Sequence, residues 1–556
     1  MSGNVAYNEN EIVNFLYSEL NLGAWWKELL IFGDDGEIDI ENSGETIAWS
    51  ETRTAKIVAE KFGPRLSYVE ISDQWYAWNG TIHVPCEGVS TARKLIGFYV
   101  TAVEYALEHV ENVINAKAKA IKQENKDKAE ENAKKVLEMY KNGYKKHRDF
   151  RNRMNSNAGI TSVIATIQTE VSISSKYYEN DHDWFVMRNC VMDLKKFREG
   201  NDDANILLPH NPSRLVTRYF DADYDLETNL GHWDNFITSS LPVPEIREYT
   251  QQVVGAAFMG QSKTKVICNL LGKKDSGKSI FIGTFFELCV FGAGYVSMPD
   301  PLSIMKVQGQ NFSQDKFRGQ RMVCISEPDE HHTPDTPFLK RYSGDDLVES
   351  ANKYAKMTGW RPQGILFIAS NNHLKIDIRD NATVDRIKIV EFPNQFLPAG
   401  PGIPKELEQI PDIKEKISAD RNRVLMWIIE GMLKFRANGF VFNEPQQVVA
   451  SQDEFVADSS SALEWVKDMM DNELVFFDLD EPLSKCLTIT DAFKAYMFWC
   501  KETNTKAMSR KYFVNDLTVK YGETKRSSGI RLPGFSVSND FKILYLPETT
   551  GYMGGM

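Results

Sequence analysis

Lys265-Val266-Ile267-Cys268-Asn269-Leu270-Leu271-Gly272-Lys273-Lys274-Asp275-Ser276-Gly277-Lys278-Ser279-Ile280-Phe281-Ile282 is the stretch on which the reading of this chain turns. It opens as a largely apolar run of strand length and closes on the start of an apolar helical pattern. Between them, Gly272 to Ser279 meets the spacing GxxxxGK[ST] at every position. A phosphate-binding loop needs this order. The glycines let successive backbone N–H groups wrap phosphate oxygens, Lys278 reaches the β and γ oxygens, and the Ser279 hydroxyl ligates Mg²⁺. The strand before and the helix after aim a helix N-terminus at the anion, which a Gly-rich turn elsewhere would not do. Lys273, Lys274, Asp275 and Ser276 complete the expected ATP cradle.

Outward from this loop, residues 263 to 395 alternate short apolar strands with polar helices, the pattern of an α/β sheet unit. A phosphate loop needs an acid to hold the metal and polarise water. Arg321-Met322-Val323-Cys324-Ile325-Ser326-Glu327, an apolar strand ending in a carboxylate, supplies one. Glu327 is the expected metal contact or activator of the attacking water, with Asp329 and Glu330 as neighbouring alternatives. A third strand, Gly364 to Ser370, ends in Asn371-Asn372. An amide at that edge can orient the lytic water and sense the γ-phosphate, so Asn371 is the candidate sensor.

At 556 residues the chain exceeds a single compact core. Residues 1 to 50 read as an acidic leader without assignable chemistry, and Asp34 to Asp39 as a loop. Residues 51 to 240 read as a domain preceding the motor, with an Asn79-Gly80 hairpin turn and long helices over about 91 to 147. Residues 241 to 395 form the nucleotide core, 405 to 445 its helical extension, and 446 to 556 a C-terminal module. No run of about 18 apolar residues or signal-peptide layout occurs, which predicts a cytoplasmic protein without a membrane partner. The seven scattered cysteines read as reduced thiols. A net charge of −12 means any DNA contact must come from local basic groups. Lys141 to Arg153 reads either as a solvated helix end or as a phosphate-contacting patch.

The loop, the acidic strand and the sensor strand, with what lies between them, resemble the superfamily 3 helicases, specifically the phage and plasmid primase-helicase group related to the poxvirus enzyme. Leu339 to Asp345, Tyr354 and Trp360-Arg361-Pro362-Gln363-Gly364 are similar to the family's segment between acid and sensor. The resemblance implies a β-hairpin there that reaches into a ring pore, with Lys353 and Lys356 as candidate DNA-gripping residues. Val384-Asp385-Arg386-Ile387 to Phe392 resembles the arginine-finger strand. Arg386 is thereby expected to enter a neighbouring subunit's ATP site, with Arg379 as the alternative. The implied fold is an AAA+-like P-loop ATPase core between an α+β N-terminal domain and a helical, winged-helix-like C-terminal module. Weaker resemblances, at Trp75 to Gly80, Asn189 to Leu194, His210 to Trp233, Asp412 to Gly431, Ile489 to Cys500 and Ser509 to Phe513, extend it over roughly residues 51 to 530. The primase catalytic domain of many members is expected to find no room in the 50 residues ahead of that region, so a separate primase or polymerase is an expected partner.

The function so implied is an ATP- and Mg²⁺-dependent replicative DNA helicase of a phage, plasmid or related element. It would work as a homo-oligomeric ring, expected to be a hexamer, on single-stranded DNA and forked duplex in the host cytoplasm. The rival reading is an ATP-regulated origin-melting initiator. Its duplex contacts would come from Arg510, Lys511, Lys520, Lys525, Arg526 and Arg531. A kinase or packaging ATPase sharing only the loop would leave the hairpin segment and finger strand without purpose.

Overall fold

The apolar runs either side of the loop form one parallel sheet. The computed structural model describes residues 9–546 apart from 40–49, 87, 124–133, 136–137, 139–141, 143–144, 147, 151, 155, 175–182, 201–202, 261–263, 290–293, 307–313, 329–332, 345, 351–357, 375, 377–379, 459, 504, 506, 523–524 and 527–529. The chain divides into two units, Met1–Tyr224 with Cys289–Gly294 and Asp225–Leu288 with Tyr295–Met556.

In the second unit, strands β1 (Ile267–Leu271), β2 (Val296–Ser297), β3 (Met322–Ser326), β4 (Ile365–Ser370) and β5 (Ile387–Glu391) lie in the order β5-β1-β4-β3-β2. All pairings are parallel. β4 is buried at every position and β3 at all but its last. Strands covered on both faces need no polar alternation, which is why they read as unbroken apolar runs. Helices α1 (His232–Ser240), α2 (Pro244–Phe258), α3 (Lys278–Leu288), α4 (Ile413–Ala419) and α5 (Arg421–Ala437) belong to the same unit. α2 and α5 cross where Gly255 faces Gly431. A Cβ on Gly255 would lie 2.3 Å from the Met432 nitrogen, so only glycine permits this approach.

Beyond α5, helix α6 (Gln446–Asp458) runs beside β5. Helices Ser461–Asp471, Ile489–Glu502 and Arg510–Tyr521 then enclose a core containing Trp465, Tyr496 and Phe513. Strands Val475–Phe477 and Phe535–Val537 pair antiparallel, as do Lys525–Arg526 and Ile530–Arg531.

The first unit is built on two three-stranded antiparallel sheets and the helix Gly88–Gln123. That helix buries Leu95, Tyr99, Ala102, Val103, Ala106 and Val110, the three-and-four spacing of an amphipathic face. Two features differ from the sequence reading. Residues assigned to an acidic leader are part of this core: Ile12, Leu16, Leu22 and Trp25 pack with Val58, Phe62 and Tyr99. Leader-like polarity at 33–39 masked the apolar spacing before it. The hairpin turn is also longer than Asn79-Gly80. Trp78 pairs with His83, and the Asn79 side chain accepts hydrogen bonds from the Thr81 and Ile82 amides to close the four-residue loop. Among the described residues, no helix is long and apolar enough to cross a membrane.

Candidate nucleotide site

β1 ends at Leu271 and α3 begins at Lys278, so the loop between them spans the C-terminal end of the sheet. Asp275 and Gly277 take positive φ angles of 61° and 96°, which fold the loop back on itself. At Gly272 a Cβ would fall 2.6 Å from the Phe392 carbonyl oxygen, and no side chain could share that space. The Lys278 ammonium donates to the Gly272 and Lys273 carbonyls, to Ser276 Oγ at 3.1 Å and to Asn371 Oδ1 at 3.2 Å. Burial lowers its pKa from the ordinary lysine value, against the opposing charges of Glu327 and Asp275.

Strand order brings the remaining candidates to this loop. β4 lies between β1 and β3, so Asn371, which follows β4, emerges between Gly272 and Glu327, which follow the strands on either side. Glu327 leaves β3 through a left-handed residue (φ 52°), its amide donating to the Ala369 carbonyl at 2.9 Å. Such a φ is uncommon for a residue with a Cβ. Lys274, Asp275, Ser276, Gly277, Lys278, Ser279, Glu327 and Asn371 all line one cavity of about 390 Å³. The Ser279 hydroxyl and Glu327 carboxylate are hard oxygen donors of the kind Mg²⁺ takes alongside phosphate oxygens.

The cavity is also lined by residues that the sequence reading did not select. Phe236, Ile280, Phe396, Ile410 and Ile413 line it, with Glu408 and Gln409 at its edge. Phe396 is tied directly to the phosphate loop, its amide donating to the Asp275 carbonyl at 2.9 Å. Gln409 Nε2 in turn donates to the Phe396 carbonyl. Phe236 is held through the start of α1, where the His232 and Trp233 amides donate to Asp420. Arg423 braces the same helix, donating to both Asp234 oxygens and to Glu430. Its burial disfavours charge, but the two carboxylates outweigh that and raise its pKa above the ordinary arginine value.

Not all predicted residues meet at the cavity. Arg386 directly precedes β5, whose Ile387 pairs with Ile267 at the start of β1. It therefore sits at the opposite end of the sheet from the loop. At about 3.3 Å per residue along β1, roughly 20 Å separates the two, beyond the reach of an arginine side chain. Arg386 donates to the Ala382 carbonyl, and its Nε has no hydrogen-bond partner. The expected hairpin has its base in Val348–Ser350 and Thr358–Trp360, which pair antiparallel. Lys353, Lys356, Asp329, Glu330 and Arg379 lie outside the described residues.

Residues 55–242 match the family described as D5 N terminal like. Over 408 residues the chain is 22% identical to the putative helicase L207/L206 of Acanthamoeba polyphaga mimivirus, covering 70% of this chain and 40% of that protein. Residues 55–242 thus resemble the D5-like family, and the longer alignment resembles a viral putative helicase. The chain spans less than half the length of this mimivirus relative. Two solved apo structures of the NrS-1 C-terminal region align with this D5-like chain at 11% and 12% identity and TM-scores of 0.32 and 0.31. Each alignment covers 61% of this chain, and 81% and 82% of the respective NrS-1 chains.

Proposed function

We propose that this chain is an ATP-driven DNA helicase motor of the superfamily 3 type, built on an AAA+-like P-loop core and acting in replication of a mobile element. One observation carries the reading. A single cavity gathers Lys278, Ser279, Glu327 and Asn371, while Arg386 stands at the other end of the same sheet. A second copy of the chain could bring its own Arg386 to this cavity, and the same copy cannot. The resemblance of the mimivirus putative helicase adds support at family level.

In this mechanism the triphosphate lies along the loop amides, and the base enters between Phe236 and Phe396. Lys278 exchanges its loop carbonyls for β and γ oxygens. Ser279 and Glu327 would hold Mg²⁺, which would supply charge to offset that of the phosphates. Glu327 polarises the attacking water and Asn371 holds it in line with the γ-phosphate. Arg386 of the adjoining copy stabilises charge on the transferring phosphoryl group. In a ring, assigned here as a hexamer, hydrolysis then moves the hairpin based on Val348–Ser350 and Thr358–Trp360. Lys353 and Lys356, which lie between those two strands in sequence, would draw one DNA strand through the pore.

The test is ATP hydrolysis and strand separation on a forked duplex, comparing the parent chain with Lys278→Ala. Both activities should fall below detection together in the variant. Strand separation that survives the substitution would overturn the motor. Unwinding that stops within a few tens of base pairs would favour the origin-melting initiator instead.

A further inference from the structure

Asn269 is a polar residue in the middle of a central strand. It is fully buried, and β1 is flanked on both sides by β5 and β4. Its Nδ2 donates to the Ile368 carbonyl at 2.8 Å and to Ser370 Oγ at 2.9 Å, while its Oδ1 has no hydrogen-bond partner. A buried amide with one half unsatisfied weakens a fold relative to an apolar side chain of the same shape. The neighbouring positions Ile267, Leu270, Leu366 and Ile368 are all apolar and buried, so packing alone gives no reason for an amide here.

What the amide touches supplies one. Ser370, itself buried, is the last residue of β4 and directly precedes Asn371. Its carbonyl accepts from the Gly272 amide at 3.2 Å, the first amide of the phosphate loop. The residue before the sensor is thus fixed twice, through its side chain by Asn269 and through its backbone by the loop. Asn371 then projects from that fixed point to accept from Lys278.

We infer that Asn269 and Ser370 are positioning residues that register the Asn371 carboxamide against Lys278 and Glu327. This inference rests on the ATPase reading above. A displacement of about 1 Å at a reacting geometry can cost about 10²-fold in rate, so a clamp beneath the sensor has a large lever on turnover.

The experiment is steady-state ATP hydrolysis with nucleotide affinity and melting temperature measured on the same samples. Asn269→Leu should lower kcat by about tenfold or more and leave nucleotide Kd within about twofold, with no fall in melting temperature. A merely structural residue would lose stability first. Ser370→Ala should act in the same direction, and Ser370→Thr, which keeps the hydroxyl, should recover most of the rate. In an Asn371→Ala background, Asn269→Leu should add no further loss, because its effect passes through the absent carboxamide. The proposal is overturned if kcat is unchanged in both Asn269→Leu and Ser370→Ala, or if the double variant is slower than Asn371→Ala alone. If Lys278→Ala hydrolyses ATP as fast as the parent, the ATPase reading itself fails, a result distinct from either of these.

Discussion

At the C-terminal end of the five-stranded sheet, the loop after β1, Glu327 after β3 and Asn371 after β4 meet around one cavity. At the N-terminal end, Arg386 enters β5 with its Nε unpartnered. The first end holds an ammonium, a carboxylate, an amide and a ring of backbone donors. The second holds a guanidinium, and no arginine is among the described residues that line the cavity. The contrast teaches that a parallel sheet separates chemistry by strand polarity. Groups that follow strands collect in one place, and a group that precedes a strand cannot join them within the same molecule.

Three substitutions can break or sharpen this contrast. If Arg386 acts as the arginine finger proposed above, Arg386→Ala should have the largest effect, lowering hydrolysis by about 10³-fold while leaving nucleotide binding nearly intact. Mixed with the Lys278→Ala chain, it should regain part of that activity at mixed interfaces. Titration of one variant into the other checks this, and an unchanged rate across the titration would argue for a site complete within one chain. Glu327→Gln should cost about 10²-fold or more in single-turnover hydrolysis, with nucleotide affinity changed far less, because activation of water is lost while the amide oxygen keeps a weaker metal contact. Phe396→Ala should have the smallest effect, weakening nucleotide Kd by about tenfold through lost apolar contact, with kcat little changed. Equilibrium binding of a fluorescent ATP analogue measures it. A fall in kcat with unchanged Kd would remove Phe396 from the base wall.

The sequence made the first end of the sheet legible and the cavity's apolar lining invisible, for a physical reason. Phosphate chemistry demands particular atoms at fixed spacing, so Gly272 to Ser279 carries its own signature, and buried parallel strands carry theirs in Met322 to Ser326 and Ile365 to Ser370. A base wall demands only apolar surface. Phe236, Phe396 and Ile413 are ordinary residues on segments far apart in sequence, and only folding brings them to one cavity. Asn269 was passed over because a single amide inside an apolar run reads as a tolerated interruption. A polar residue at the centre of a strand buried on both faces is the signal that could have found it. In the first unit, the helix Glu9–Glu19 joins the core through Ile12, Val13 and Leu16, and its acidic surroundings hid that spacing.

Helix α6 touches residues whose side chains leave β5 on opposite faces. Ser451 meets Glu391 and Gln452 meets Lys388, which also pairs with Glu444 just ahead of the helix. Gln452 also caps the Val384 carbonyl just before the strand. A helix that reaches both faces must lie along the strand's outer edge, and a covered edge offers no free ladder for another chain to extend. Copies of this chain therefore cannot fuse at β5 into a continuous sheet. Any contact between copies there would have to be built from side chains.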